Sequence, residues 1–91
     1  MKYAIAVHPG EVLQDVLDRN KISQSALARH IKVDPSKINE ICRGRRGVSA
    51  EMAIRLSRAF GTDKYFWFDL QKQWELSQVD EEQIKIKKMA A

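Results

Sequence analysis

Apolar residues recur along this chain at intervals of three and four, the spacing of one face of an α-helix. Val12, Leu13, Val16 and Leu17 form the first such set, opened by Pro9-Gly10 and ending near Asn20. Leu27, Ala28 and Ile31 form the second, with Ser23 placed to cap it. Asp34-Pro35 marks a third start: a carboxylate for the first free N–H groups, then a proline where a missing N–H does no harm. Ile38, Ile41 and Cys42 give that segment its apolar side. Gly44-Arg45-Arg46-Gly47 reads as a loop. Ser49 caps a fourth helix, with Glu51 in its first turn, Met52, Ala53, Leu56 and Phe60 inward, and Gly61 as its stop. A fifth helix is predicted from Thr62 or Asp63 through Trp74. The ends are less regular. Tyr3, Ile5 and Val7 alternate with smaller or polar residues, as do Ile84 and Ile86, which fits a short strand or a loose arm. Asp80 followed by Gln83 would equally cap a short helix. The pattern predicts an all-α domain over residues 1–78 and a tail over 79–91.

The second and third segments stand in a relation that bears on function. A helix-turn-helix packs two helices steeply across a short turn, so that the second lies in the major groove of DNA. Its buried positions therefore fall at fixed offsets. Counting Gln24 as the first position of a motif ending at Arg43, the fourth, fifth, eighth, tenth, fifteenth and eighteenth are Leu27, Ala28, Ile31, Val33, Ile38 and Ile41. All are apolar, and the fifth is small, as close approach of two helices demands. Ser25, Arg29, His30, Ser36, Lys37, Asn39, Glu40 and Arg43 fill solvent-side positions between them. The turn position where glycine is common holds Lys32, which must adopt the turn's backbone, a left-handed one among the candidates.

Charge sharpens this picture. The 91 residues carry a formal net charge of +4, and the excess is local. Between Lys21 and Gly47 there are seven basic residues and two acidic ones, while the stretch from Val48 onward balances at seven of each. A basic patch on a small domain suggests a polyanionic partner, against the plainer reading of a solvated face. With 44% hydrophobic residues and one cysteine, the chain reads as a globular protein of a reducing compartment, and a cytoplasmic location is expected. After Lys2 the apolar run to Val7 is too short for a signal peptide, and nothing reaches the length of a membrane span. Cys42 with His8 or His30 lacks the surroundings of a thiol enzyme or a zinc centre, so neither catalysis, metal nor cofactor is expected. Cys42 is more simply a small packing residue.

The motif resembles the lambda-repressor/Cro-like helix-turn-helix superfamily. More narrowly, His8-Pro9-Gly10-Glu11-Val12-Leu13, the run from Asn39 to Ser49, and the stretches from Met52 to Leu56 and Phe60 to Gln71 resemble the HigA-type antitoxins of bacterial toxin–antitoxin pairs. The resemblance implies a compact five-helix domain that binds a double-stranded DNA operator. It makes Gln24 a phosphate contact at a helix N-terminus. It puts Ser36, Lys37 and Asn39 where base edges are read, Asn suiting adenine and Lys guanine, with Pro35 in place of a polar contact found in some relatives. Arg43, Arg45 and Arg46 suit flanking phosphates. For Arg45 and Arg46 the plain alternative is a loop kept soluble.

Five of the seven aromatic residues, Tyr65, Phe66, Trp67, Phe68 and Trp74, fall within ten positions. Consecutive aromatics on a helix span more than one face, so some are expected in the core and others in a homodimer interface. The resemblance further implies a small, basic, RNA-cleaving toxin as partner and repression of the shared promoter; a free-standing repressor is the alternative. RNA binding is a further one, although no stacking platform stands out beyond the aromatic block. The favoured toxin-binding surface is the N-terminal segment, with Glu11, Asp15 and Asp18 to steer a basic partner and Tyr3 and Ile5 as apolar contacts, and the tail from Val79 is its rival.

Overall fold

Capping residues sit where the sequence pattern places helix starts. In the computed structural model, which describes residues 6–90, five helices follow in order: α1 Pro9–Asn20, α2 Gln24–Ile31, α3 Pro35–Cys42, α4 Ala50–Phe60 and α5 Lys64–Ser77. Each begins on a side chain that accepts a hydrogen bond from its first turn: His8, Ser23, Asp34, Ser49 and Asp63 in turn. No strand occurs among the described residues. The all-α expectation is met.

The turns carry the one backbone feature that a lysine makes notable. Lys32, between α2 and α3, has φ 61°, and Lys21, after α1, has φ 55°. Both lie in the left-handed region, at a cost of about 1 kcal/mol each relative to glycine. What holds Lys32 there is its closure: its N–H bonds to Arg29 and the N–H of Val33 to Ala28 at 3.0 Å, while Val33 packs against the core. Ile22 repeats this arrangement after Lys21 by bonding to Leu17.

The core is a single cluster to which all five helices contribute, from Leu13 and Leu17 through Ala28, Ile38 and Ile41 to Leu56 and Trp67. Of the helix-turn-helix frame, Leu27, Ala28, Ile31, Ile38 and Ile41 are buried and Val33 is half-buried. α3 packs on α2 and α1, and α4 packs on α2 and α5, so the second helix of the motif is held from two sides.

The C-terminal end combines two of its readings, a short capped turn and a loose arm, and forms no strand among the described residues. α5 runs past Trp74 to Ser77, and Asp80 caps one 3-10 turn over Glu81–Gln83. Ile84 and Ile86 follow it exposed and without regular structure. At the other end Tyr3 and Ile5 lie outside the described residues, and Val7 is half-buried against the core.

Candidate nucleic-acid interface

α3 is short and exposes most of its polar side. Asp34 starts it by accepting from the Ser36 N–H at 2.8 Å, and this bond, with Lys37 nearby, holds the carboxyl below the usual carboxylate range. Ser36, Lys37 and Arg43 are exposed, whereas Asn39 is half-buried. Gln24, the first residue of α2, lies within reach of it: Asn39 Nδ2 donates to Gln24 Oε1 at 3.1 Å. Of the arginine loop, Arg45 and Arg46 are exposed, and Arg46 Nε pairs with Glu40 on α3 at 2.7 Å. An exposed pair of this kind contributes at most about 1 kcal/mol, so a phosphate competes for Arg46 readily. Six of the seven residues assigned to DNA thus lie on α3 and the loop after it, with Gln24 bonded to the helix through Asn39.

Three residues, Gly10, His8 and Gln71, fix where this surface sits on the domain. Gly10 on α1 lies so close to α3 that a Cβ there would fall 1.8 Å from the Ile41 carbonyl oxygen. His8 Nδ1 accepts from the Gly10 N–H at 2.9 Å, and its ring meets Trp74 edge-on at 4.8 Å. Gln71 on α5 accepts from the Val48 N–H at 2.7 Å, fastening the end of the arginine loop, and donates to Glu75 at 2.9 Å. α3 is therefore held by α1, and the loop after it by α5.

The comparisons with known proteins agree with this geometry. A family model described as helix-turn-helix matches residues 13–67. Virulence-associated protein I of Dichelobacter nodosus is 40% identical over 82 residues, covering 89% of this chain and 76% of that protein. The antitoxin HigA of Pseudomonas aeruginosa, solved with the higBA promoter, superposes with a TM-score of 0.87 at 41% identity, covering 94% of this chain and 100% of that one. The antitoxin GraA, solved in complex with its operator, gives 0.82 at 36% identity over 100% and 99% of the two chains. This chain is a HigA-type member of the helix-turn-helix family. Its five helices are the lambda-repressor-like arrangement of those neighbours.

Membership makes sense of signatures whose purpose the sequence leaves silent. The His-Pro-Gly opening of this HigA-type chain is a cap, a first helical residue and a close approach to the recognition helix. Gln71, the last residue of the aromatic block's motif, is the tie to the arginine loop. Gln14 on α1 is a residue that sequence reading missed altogether. Its Oε1 accepts from Gln24 at 3.0 Å, and nothing in a glutamine on a helix surface announces such a bond.

The aromatic block divides by helical face, and of the five residues expected in a core or a homodimer interface Trp67 falls to the core. Trp67 is only 1% exposed and belongs to the core of its own chain, in line with Leu70, Gln71 and Trp74 at helical spacing. Phe66 lies edge-on to Trp67 at 5.1 Å, and Trp74 is occupied by His8. Phe68 is half-buried, and Tyr65, at 56% exposure, points into solvent. Tyr65 and Phe68 join Ala50, Ala53, Ile54 and Lys64 around a shallow, mainly apolar pocket of about 160 Å3.

Cys42 is half-buried, and burial, with Asp18 adding to it, pushes its thiol up to about 11. It is a thiol rather than a thiolate at neutral pH, as suits a packing residue. No helix among the described residues is long and apolar enough to cross a membrane.

His8 gives the α1 cap a pH dependence. Burial lowers its pKa below the ordinary value, with Glu11 opposing. Nδ1 accepts a hydrogen bond only in the neutral ring, so protonation removes the cap. Because the folded value lies below the unfolded one of about 6.5, the contribution is complete above that pH and is lost as pH falls toward the folded value. Thermal melts at pH 7.5 and 5.5 are expected to show a smaller acid-induced drop for His8→Asn, which caps without titrating. An equal drop in both proteins would remove His8 from this role.

Proposed function

We propose that this chain is a sequence-specific DNA-binding antitoxin that represses its own promoter as a homodimer on a two-fold operator in the cytoplasm. The observation that carries this reading is the exposed face of Ser36, Lys37, Arg43, Arg45 and Arg46 on a buried helix-turn-helix frame. Relatives of the same fold have been solved with a promoter and with an operator. Ser36, Lys37 and Asn39 read base edges, and Gln24, Arg43, Arg45 and Arg46 hold phosphates. Replacing Arg45 and Arg46 together by alanine is expected to weaken binding to every duplex and to shallow the log K against log salt slope by about 2. A slope unchanged in gel-shift titrations from 50 to 200 mM salt would take the loop out of the interface.

For the partner we propose a small, basic, RNA-cleaving toxin, bound away from α3. Asp15 pairs with Arg19 at 3.2 Å and Asp18 accepts from Gln14, which leaves the N-terminal acids partly engaged. The tail instead exposes Ile84, Ile86 and Met89 beside Asp80, Glu81 and Glu82, a mixture that suits an extended arm ordering on a basic surface. Deleting residues from Val79 onward is expected to abolish co-purification with the product of the neighbouring gene and to leave operator affinity within about twofold. Loss only on removing residues before His8 would move the site to the N-terminus; no co-purifying neighbour with the intact chain would favour a free-standing repressor.

A further inference from the structure

Three side-chain amides on three helices form a chain that ends on a carboxylate. Asn39 Nδ2 on α3 donates to Gln24 Oε1 at 3.1 Å, Gln24 Nε2 on α2 donates to Gln14 Oε1 at 3.0 Å, and Gln14 Nε2 on α1 donates to Asp18 Oδ1 at 2.8 Å. An amide turned end for end offers an acceptor where it offered a donor, and alone it has no reason to prefer either setting. An ionised carboxylate accepts only. Asp18 therefore requires Gln14 to present its NH2 to it, which turns the Gln14 oxygen toward Gln24, and the Gln24 oxygen toward Asn39. The direction of every bond in the chain follows from its last member.

We infer that Gln14 and Asp18, which lie outside the helix-turn-helix, are positioning residues for base recognition: they fix which way round the Asn39 amide meets DNA. This rests on the proposed reading of base edges by α3. With one N–H given to Gln24, Asn39 keeps its Oδ1 and its second N–H, and no other hydrogen bond engages them among the described residues. That pair matches adenine, whose N6–H donates and whose N7 accepts. A reversed Asn39 would turn its oxygen toward Gln24 and aim its NH2 at the base with both N–H groups free, which match the O6 and N7 acceptors of guanine. α1 thus sets the base that α3 prefers without touching the duplex.

The test uses operators selected from randomised duplexes by the full chain, with affinities then measured on single base-pair substitutions. The readout is the ratio of affinities for adenine and guanine at the pair Asn39 reads, because a ratio cancels any loss of folded protein. Wild type is expected to favour adenine by about thirtyfold, the middle of the range for a bidentate contact. Gln14→Leu, which frees the Gln24 amide, is expected to bring the ratio within about twofold. Gln14→Lys, a donor only, holds Gln24 reversed and moves the preference toward guanine. Gln14→Glu combined with Asp18→Asn exchanges donor and acceptor between those two positions yet still accepts from Gln24, so it is expected to restore the preference for adenine. Wild-type ratios in Gln14→Leu and Gln14→Lys, alongside a ratio lost in Asn39→Ala, would overturn the relay and leave the reading by α3 intact. A ratio unchanged in Asn39→Ala would overturn that reading and the relay together.

Discussion

Trp67→Ala is expected to lower the stability of the domain by about 3–5 kcal/mol, read from urea unfolding followed by far-ultraviolet circular dichroism. Trp67 is 1% exposed and packs with Phe60 and Phe66, their ring centroids 6.1 and 5.1 Å from its own, so truncation opens a large void at the meeting of α4 and α5. Its buried indole N–H finds no acceptor among the described residues, which places Trp67→Phe well below that loss, because Phe fills much of the space and removes the orphan donor. Against a total stability of about 5–15 kcal/mol for a small domain, the alanine variant is left marginal. Tyr65→Ala combined with Ile54→Ala should behave in the opposite way. These residues are 56% and 40% exposed, so each replacement changes chain stability by about 0.5 kcal/mol or less. If the apolar pocket beside them meets a second copy, light scattering at micromolar concentration will show monomer for this variant and dimer for the wild type. A Trp67→Ala protein that kept its stability and lost only its dimer would reverse the assignment of the two faces.

Gly10→Ala is expected to cost about 3 kcal/mol and to reduce operator binding beyond what the unfolded fraction explains. The new methyl carbon would fall 1.8 Å from the oxygen and 2.7 Å from the carbon of the Ile41 carbonyl. Both atoms are backbone, so no rotamer change relieves the contact and α1 must move away from α3. Ile41 lies two residues before Arg43, so a shift of this carbonyl also displaces an arginine assigned to phosphate. Gly47→Ala is the control. The three atoms nearest its Cβ would all belong to the Gln71 side-chain amide, at 2.9–3.0 Å, so relief there moves a side chain and its bond to Val48 and leaves α1 on α3. Equal losses in the two variants would mean that the approach of α1 to α3 has no special role.

The helices were legible in the sequence because their caps and their apolar spacing agree: Ser23, Asp34 and Ser49 each stand directly before a run of period 3.6. Lys32 was legible as a turn residue under tension, but the same conformation at Lys21 was not, since no motif draws the eye there. The division of the aromatic block between faces was legible, because consecutive residues on a helix point about 100° apart, but which residue faces fully inward was not: of the four in a row it is Trp67. α5 was expected to end at Trp74 because the apolar pattern stops there. The helix continues because Glu75 accepts from Gln71 and Ser77 donates to the Trp74 carbonyl, contacts that carry no periodic signal. The exposure of the proposed recognition surface was legible because basic and small polar residues cluster on the outer face of the motif. The supports of that surface were not: Gly10, Gln14 and Gln71 reach residues distant in sequence through a close approach or a hydrogen bond, and His8 reaches Trp74 through its ring.

Selection from a pool of randomised duplexes, followed by footprinting and a titration of chains bound per recovered site, tests the central claim most directly. The expected result is an enriched palindrome whose half-sites lie one helical turn or a multiple apart, two chains per site, and a preference that changes in Asn39→Ala and Lys37→Ala. Recovery of no sequence above the starting pool, or of an asymmetric site bound by a single chain and read identically by both variants, would contradict it.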